Sequence, residues 1–273
     1  MKRSDIIEQI KSKASFLCVG LDTDINKIPE HLRNTSDPIF AFNKEIIDQT
    51  SDLCVSYKLN LAFYESMGIG GMEAMMRTME YIPDSHFIIA DAKRGDIGNT
   101  AAMYAKAFFE VYKADAVTIA PYMGEDSVRP FLDFREKWAI VLGLTSNQGA
   151  ADFQFLDTGD GELLYQRVIR KVSSWGSTEN TMFVVGGTKA DHFSEVRKII
   201  PEHFLLVPGV GVQGGDLHSV CEAGLNEDVS LLVNSSRGII YSSSGNDFGS
   251  RARDAASQLQ KSMETELRNK GLI

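Results

Sequence analysis

The chain is poor in cysteine, in positive charge and in long apolar runs, and each shortage removes a class of function. Its three cysteines, Cys18, Cys54 and Cys221, are odd in number and carry no metal-ligand spacing, which argues against a disulfide framework or a zinc site. Cys18 and Cys54 fall in apolar, strand-like runs and read as core residues of a protein kept in a reducing compartment. The five histidines are scattered, with no carboxylate at metal-ligand spacing, so no metal is expected. Lysine and arginine number 28 against 37 acidic residues, a formal charge of −9. Without a basic face, neither nucleic acid nor an anionic membrane is an expected partner, and any anionic ligand must be held by a local positive site. No apolar run reaches membrane-spanning length. Residues 1–13 read as a charged amphipathic helix without the apolar stretch of a signal peptide. The expectation is a cytoplasmic globular protein.

What is present is a rhythm. Short apolar runs near residues 16–22, 53–60, 86–91, 116–120, 138–144, 182–187, 204–210 and 229–234 alternate with amphipathic patterns of helical period. Such alternation predicts a parallel sheet with crossover helices. Eight repeats favour a closed (β/α)8 TIM barrel, and the 273 residues suit a single domain of that kind. Met72, Met75, Met76 and Met79 lie on one expected helix and read as core filler. Polar residues close most of the strand-like runs, on the face where barrel active sites are built. Residues 148–161 break the rhythm. They are rich in Gly and Asp with Phe153, Phe155 and Leu156 embedded, and read either as an active-site lid or as an inert insertion.

The stretch 86–100 carries the densest chemistry. Strand side chains alternate, so Asp91 and Lys93 leave the end of the third strand on one face. Asp96 follows three residues after the lysine, Gly95 permits a turn between them, and a helical pattern begins soon after. A lysine held among at least two carboxylates is expected there. Asp22 and Lys58, at the ends of the first two strands, are placed to extend that network. Gly209-Val210-Gly211-Val212-Gln213-Gly214 matches the dinucleotide fingerprint, but it follows the seventh strand and no acid closes the next one. A phosphate cradle fits better, with backbone N–H groups approaching the anion and Arg237 after the eighth strand adding a bidentate grip.

Asp91-Ala-Lys93-Arg-Gly-Asp96-Ile97-Gly-Asn-Thr100 resembles the signature of the orotidine 5′-phosphate decarboxylase family, in the arginine-glycine form of its longer bacterial (type 2) branch. The similarity runs over nearly the whole chain, taking in residues 16–22, the Tyr57-Lys58-Leu59-Asn60 strand, the segment 144–149 and both glycine-rich loops. The resemblance implies a carboxy-lyase that converts orotidine 5′-phosphate to uridine 5′-phosphate without cofactor or metal, at the last step of UMP biosynthesis. It implies that Lys93 stabilises and protonates the C6 carbanion within a set formed with Asp91, Asp96 and Lys58. It places Asp22 at the ribose, Ser146 at the pyrimidine, and Gln213, Gly214 and Arg237 at the phosphate. In this family the second signature aspartate, here Asp96, together with Ile97 and Thr100, reaches into the partner's site, so a homodimer with shared sites is implied. The lid residue that bridges base and phosphate is Gln154 or Gln213.

Three other readings compete. A sugar-phosphate decarboxylase or synthase of the same suprafamily would bind Mg²⁺ through an acid on the second strand, where Lys58 stands instead. A Schiff-base aldolase needs a lysine of depressed pKa, whereas flanking acids raise it. A non-catalytic nucleotide-binding barrel has no use for carboxylates facing an anionic ligand.

Overall fold

Each apolar run becomes a strand, and all eight pair in parallel in chain order, with the last closing on the first. The computed structural model describes residues 1–210 and 216–273, without the side chains of Lys189 and Ala190. The strands are β1 (Leu17–Gly20), β2 (Ser56–Asn60), β3 (Phe87–Arg94), β4 (Ala116–Ile119), β5 (Trp138–Leu144), β6 (Thr181–Val185), β7 (Phe204–Pro208) and β8 (Leu231–Ser235). Helices connect them on the outside, and their apolar faces, Met75 and Met79 among them, cover the barrel. This is the (β/α)8 architecture that the alternation predicts. Among the described residues no helix is long and apolar enough to cross a membrane.

Two elements depart from their expected bounds for local reasons. The helix expected over 124–137 is only Glu125–Leu132, because Pro130 removes a donor from its interior and the chain turns soon after. β3 runs on to Arg94 instead of stopping at Asp91, and this extension matters for the site.

The lower end of the barrel is a plug. Phe87 of β3, Trp138 of β5 and Phe204 of β7 meet edge to face, with centroids 6.1 and 6.4 Å apart. These strands are not neighbours, so the three rings must point inward as one layer, as alternate strands do in such barrels. The N-terminal segment seals the layer from below. Trp138 Nε1 donates to the Met1 carbonyl at 2.9 Å, and the Arg3 guanidinium lies 5.0 Å from the Phe204 ring. Arg3 is buried, and it donates to the carbonyls of Thr178 and Glu202, to Ser230 Oγ and to Asp228.

His203 sits beside this plug, and it gives the fold an acid weakness. Its ring packs against Phe183, and neither ring nitrogen has a hydrogen-bond partner among the described residues. Burial, with the nearby charges of Arg3 and Arg197, pushes its pKa down from 6.5 to about 4. Folding therefore disfavours protonation, so a penalty begins as pH falls below 6.5 and is complete near 4. The unfolding free energy from denaturant titrations followed through that window is expected to fall by up to about 3 kcal/mol in the wild type. His203→Phe is expected to remove most of that slope.

Candidate active site

The opposite, C-terminal end of the barrel gathers the charged residues. Tyr57 points outward, where its hydroxyl reaches Thr50 Oγ1 and the Ile47 carbonyl of the helix Pro38–Thr50. Its neighbour Lys58 must then point into the barrel. The Lys58 ammonium lies 3.0 Å from Asp91 Oδ2 and 3.4 Å from Asp22 Oδ1. The other oxygen of Asp91 receives Lys93 Nζ at 2.6 Å. Asp22, Lys58, Asp91 and Lys93 thus form one alternating chain of charge across the ends of three strands.

Exposure rises along this chain toward the mouth. The Lys58 side chain is 5% exposed and that of Asp91 10%, whereas Lys93 is 51% exposed. Burial opposes charge on Asp91, but Lys58 and Lys93 outweigh it and hold the carboxyl at about 2. Burial likewise opposes the Lys58 ammonium, and the charges of Asp91 and Asp22 overcome it, raising its pKa above the ordinary lysine value. Both groups are therefore ionised at neutral pH.

A bulge aims the two signature residues. Between Ala90 and Arg94 β3 advances four positions, while β4 advances only from Val117 to Ile119. The extra length lies at Asp91-Ala92-Lys93, and bulges of this sort re-aim side chains beside active sites. Lys93 takes φ +48°, the left-handed region that costs a side-chain-bearing residue about 1–2 kcal/mol. Thr118 of β4 lies across from the bulge. Its hydroxyl donates to Asp91 Oδ1 at 2.9 Å and accepts the Lys93 backbone N–H at 2.9 Å.

Buried polar groups hold Asp22 from behind. Tyr64 donates to the Leu21 carbonyl at 2.7 Å, Asn43 donates to Tyr64 and Thr78, and Thr23 donates to Asn43. Tyr241 Oη donates to the Asp22 carbonyl at 3.1 Å and accepts from Asp24 N. Tyr241 follows directly on the short helix Arg237–Ile240, so it ties the exit of β1 to that of β8. Gly20 makes that approach possible: a Cβ there would lie 1.8 Å from Ser236 Oγ. None of these supporting residues stands out in the sequence. A polar residue in the upper half of a barrel strand, as at Thr118, is a faint signal, but it does not say what the side chain touches.

Other expected site residues are placed apart from the charge chain. Asp96 does not reach Lys93 within the chain; its carboxylate accepts from Ile97 N, so one carboxylate, not two, holds the lysine here. Ile97 is 52% exposed, and Thr100 is exposed on the first turn of the helix Gly98–Lys106. Ser146 is exposed just beyond β5. Arg237 is exposed and makes no side-chain hydrogen bond or ion pair among the described residues. Gln213 and Gly214 lie outside the described residues. Gln154 is engaged at both ends of its amide with Thr145, and Phe155 packs against Tyr165 and His192, so the 148–161 segment is anchored to the rim.

A closed parallel barrel with paired lysines and carboxylates at its C-terminal mouth defines a TIM-barrel enzyme of acid–base or electrostatic chemistry. The sequence profile of the orotidine 5′-phosphate decarboxylase / HUMPS family matches residues 15–247, and the chain belongs to that family. It is 55% identical to the orotidine 5′-phosphate decarboxylase of Bacteroides fragilis over 271 residues, 98% of this chain and 99% of the relative. Identity to the enzyme of the same name from Christiangramia forsetii is 56%, over the same shares. Among solved structures, Leishmania donovani OMP decarboxylase superposes with a TM-score of 0.84 at 34% identity, covering 97% of this chain and 98% of that one.

Proposed function

We propose that this chain is a carboxy-lyase that converts orotidine 5′-phosphate to uridine 5′-phosphate, with Lys93 as its central catalytic group. The observation that carries the reading is the Asp22–Lys58–Asp91–Lys93 chain, which ends in an ammonium facing the open mouth. In the reaction the bond from C6 to the carboxylate breaks, CO₂ leaves, and the electron pair stays on C6. No ring carbonyl is placed to delocalise it. A preorganised ammonium beside C6 stabilises that charge as it develops, then gives C6 a proton and recovers one from solvent. Asp91 holds the lysine in place through their 2.6 Å ion pair. Asp22 contacts the ribose, Ser146 the pyrimidine, and Gln213, Gly214 and Arg237 the phosphate, whose binding energy helps position the ring. The 148–161 segment, with Phe153 and Leu156 exposed, serves as the lid. Lys58 stands where the Mg²⁺-dependent relatives require an acid, which weighs against that alternative.

The test is loss of orotidine 5′-phosphate absorbance by the purified chain in buffer containing EDTA. Rapid turnover that EDTA does not slow supports the reading, and absence of turnover sinks it.

The active unit on this reading is a cytoplasmic homodimer with Asp96, Ile97 and Thr100 contributed across the interface. Three buried free cysteines suit a reducing compartment. Ile97, Met103, Tyr122 and Met123 are 52, 55, 91 and 47% exposed around the exits of β3 and β4, apolar side chains that a partner's face would cover. Sedimentation is expected at twice the chain mass of 30.2 kDa. The double substitution Tyr122→Glu, Met123→Glu is expected to yield monomers with activity lowered in parallel. A monomeric wild type with full turnover would contradict the shared site.

A further inference from the structure

We propose that Thr118 is a positioning residue of this reaction, one whose hydroxyl locks Asp91 and the Lys93 backbone into a single geometry. The inference rests on the decarboxylase reading above. Thr118 is 1% exposed, on β4, directly opposite the β3 bulge. A hydroxyl has one proton to donate and lone pairs to accept. The Lys93 N–H can only donate, so Thr118 Oγ1 accepts there, at 2.9 Å. Its own proton is then free for Asp91 Oδ1, an ionised acceptor 2.9 Å away.

Both contacts fall where the strand itself cannot provide order. In a regular parallel ladder the N–H at position 93 would find a backbone carbonyl on the neighbouring strand. The bulge removes that register, and the hydroxyl takes over as acceptor. It thereby supports the left-handed backbone of Lys93, which a lysine does not adopt unaided. The second contact fixes the rotation of the Asp91 carboxylate. Thr118 and Lys93 Nζ hold Oδ1, so Oδ2 is left facing Lys58 at 3.0 Å. Without the hydroxyl the carboxylate can turn about its last torsion, and the ammonium that must lie beside C6 turns with it. A buried strand threonine ordinarily satisfies itself on a backbone carbonyl. Here both of its bonds go to the two residues at the centre of the site.

The test compares wild type, Thr118→Val and Thr118→Ser in steady-state kinetics across pH, with thermal melts to confirm folding. Thr118→Val is expected to lower kcat about 10–100-fold, the worth of one hydrogen bond to a charged group. KM is expected to move less than about threefold, because ribose and phosphate are held elsewhere. The acid limb of the rate profile is expected to shift to higher pH, since the Asp91 anion has lost a donor. Thr118→Ser keeps the hydroxyl and restores kcat. A purely structural role would lower the amount of folded enzyme but move neither the limb nor the ratio of kcat to KM. Wild-type kcat in Thr118→Val, an unmoved limb, or failure of serine to rescue overturns the proposal. If Thr118→Val does not fold, Thr118→Cys, with its weak thiol donor, is read in the same way, and unchanged kcat overturns it. An inactive wild type would instead sink the decarboxylase reading itself, so the two failures are distinct.

Discussion

Lys93→Ala is expected to lower turnover of orotidine 5′-phosphate by at least about 10⁴-fold, because in the proposed mechanism one ammonium carries two catalytic duties. A preorganised donor aimed at developing charge is worth about 10²–10³-fold in rate. A positioned general acid contributes about 10²–10⁴-fold more. The product is the minimum to expect when both are lost with a single group. KM is expected to change much less, since the ammonium acts on charge that exists only in the transition state. The measurement is single-turnover decay of substrate absorbance at saturating enzyme, which separates chemistry from product release. A loss of tenfold or less would show that another group protonates C6.

The geometry also says why this loss is not a loss of folding. The Lys93 side chain is half exposed, and Asp91 keeps Lys58 and Thr118 when it is removed. Position 93 lies at φ +48°, where glycine is at ease and other residues are strained. Lys93→Gly is therefore expected to melt no lower than Lys93→Ala while being as inactive. The two variants together separate strain stored in the backbone from chemistry lodged in the side chain.

The barrel was legible because its signal is periodic: each strand core is a short apolar run, and each crossover helix has its own apolar stripe. The exit of β5 at Leu144 could be placed to the residue, since an unbroken run from Trp138 ends in Thr145-Ser146-Asn147. The charged half of the site was legible too, because Asp91, Lys93 and Lys58 sit at strand ends where charge is otherwise out of place. The bulge was not legible. Nothing in Asp91-Ala92-Lys93 marks a change of register, which depends on how β4 lies alongside. For the same reason Thr118 reads in sequence as an ordinary strand residue, and only the paired strand reveals what its hydroxyl touches. Asp96 shows the opposite limit. Spacing places it three residues from the lysine, but the turn carries its carboxylate to Ile97 N, away from the ammonium of its own chain. Proximity in sequence beyond a strand end is a poor guide to proximity in space, because the turn, not the pleat, sets the direction.

Asp91 is the residue whose loss is expected to damage fold and chemistry together. Lys58 is 5% exposed, and without Asp91 its ammonium keeps, among the described residues, only Asp22 at 3.4 Å. Breaking a buried pair from one side costs about 3–5 kcal/mol, because the remaining charge is left without compensation. Asp91→Ala is therefore expected to lower the denaturation midpoint sharply, and to reduce kcat by at least about 10²-fold as Lys93 loses its anchor. Acid has a milder version of the same effect. The carboxyl is held at about 2 against an ordinary 3.8, so its contribution is complete above 3.8 and fades as pH falls through 2. That span amounts to about 2 kcal/mol of stability, and Asp91→Asn is expected to abolish it. The decisive variant is the double substitution Asp91→Leu, Lys58→Met, which replaces both buried charges with apolar groups of similar volume. Such replacements are often neutral or stabilising, so the midpoint is expected to recover well above that of Asp91→Ala. Activity is not expected to recover at all. Recovery of stability without turnover would mean that the buried charges serve the reaction and that the barrel stands without them; recovery of both would remove Asp91 and Lys58 from the catalytic set.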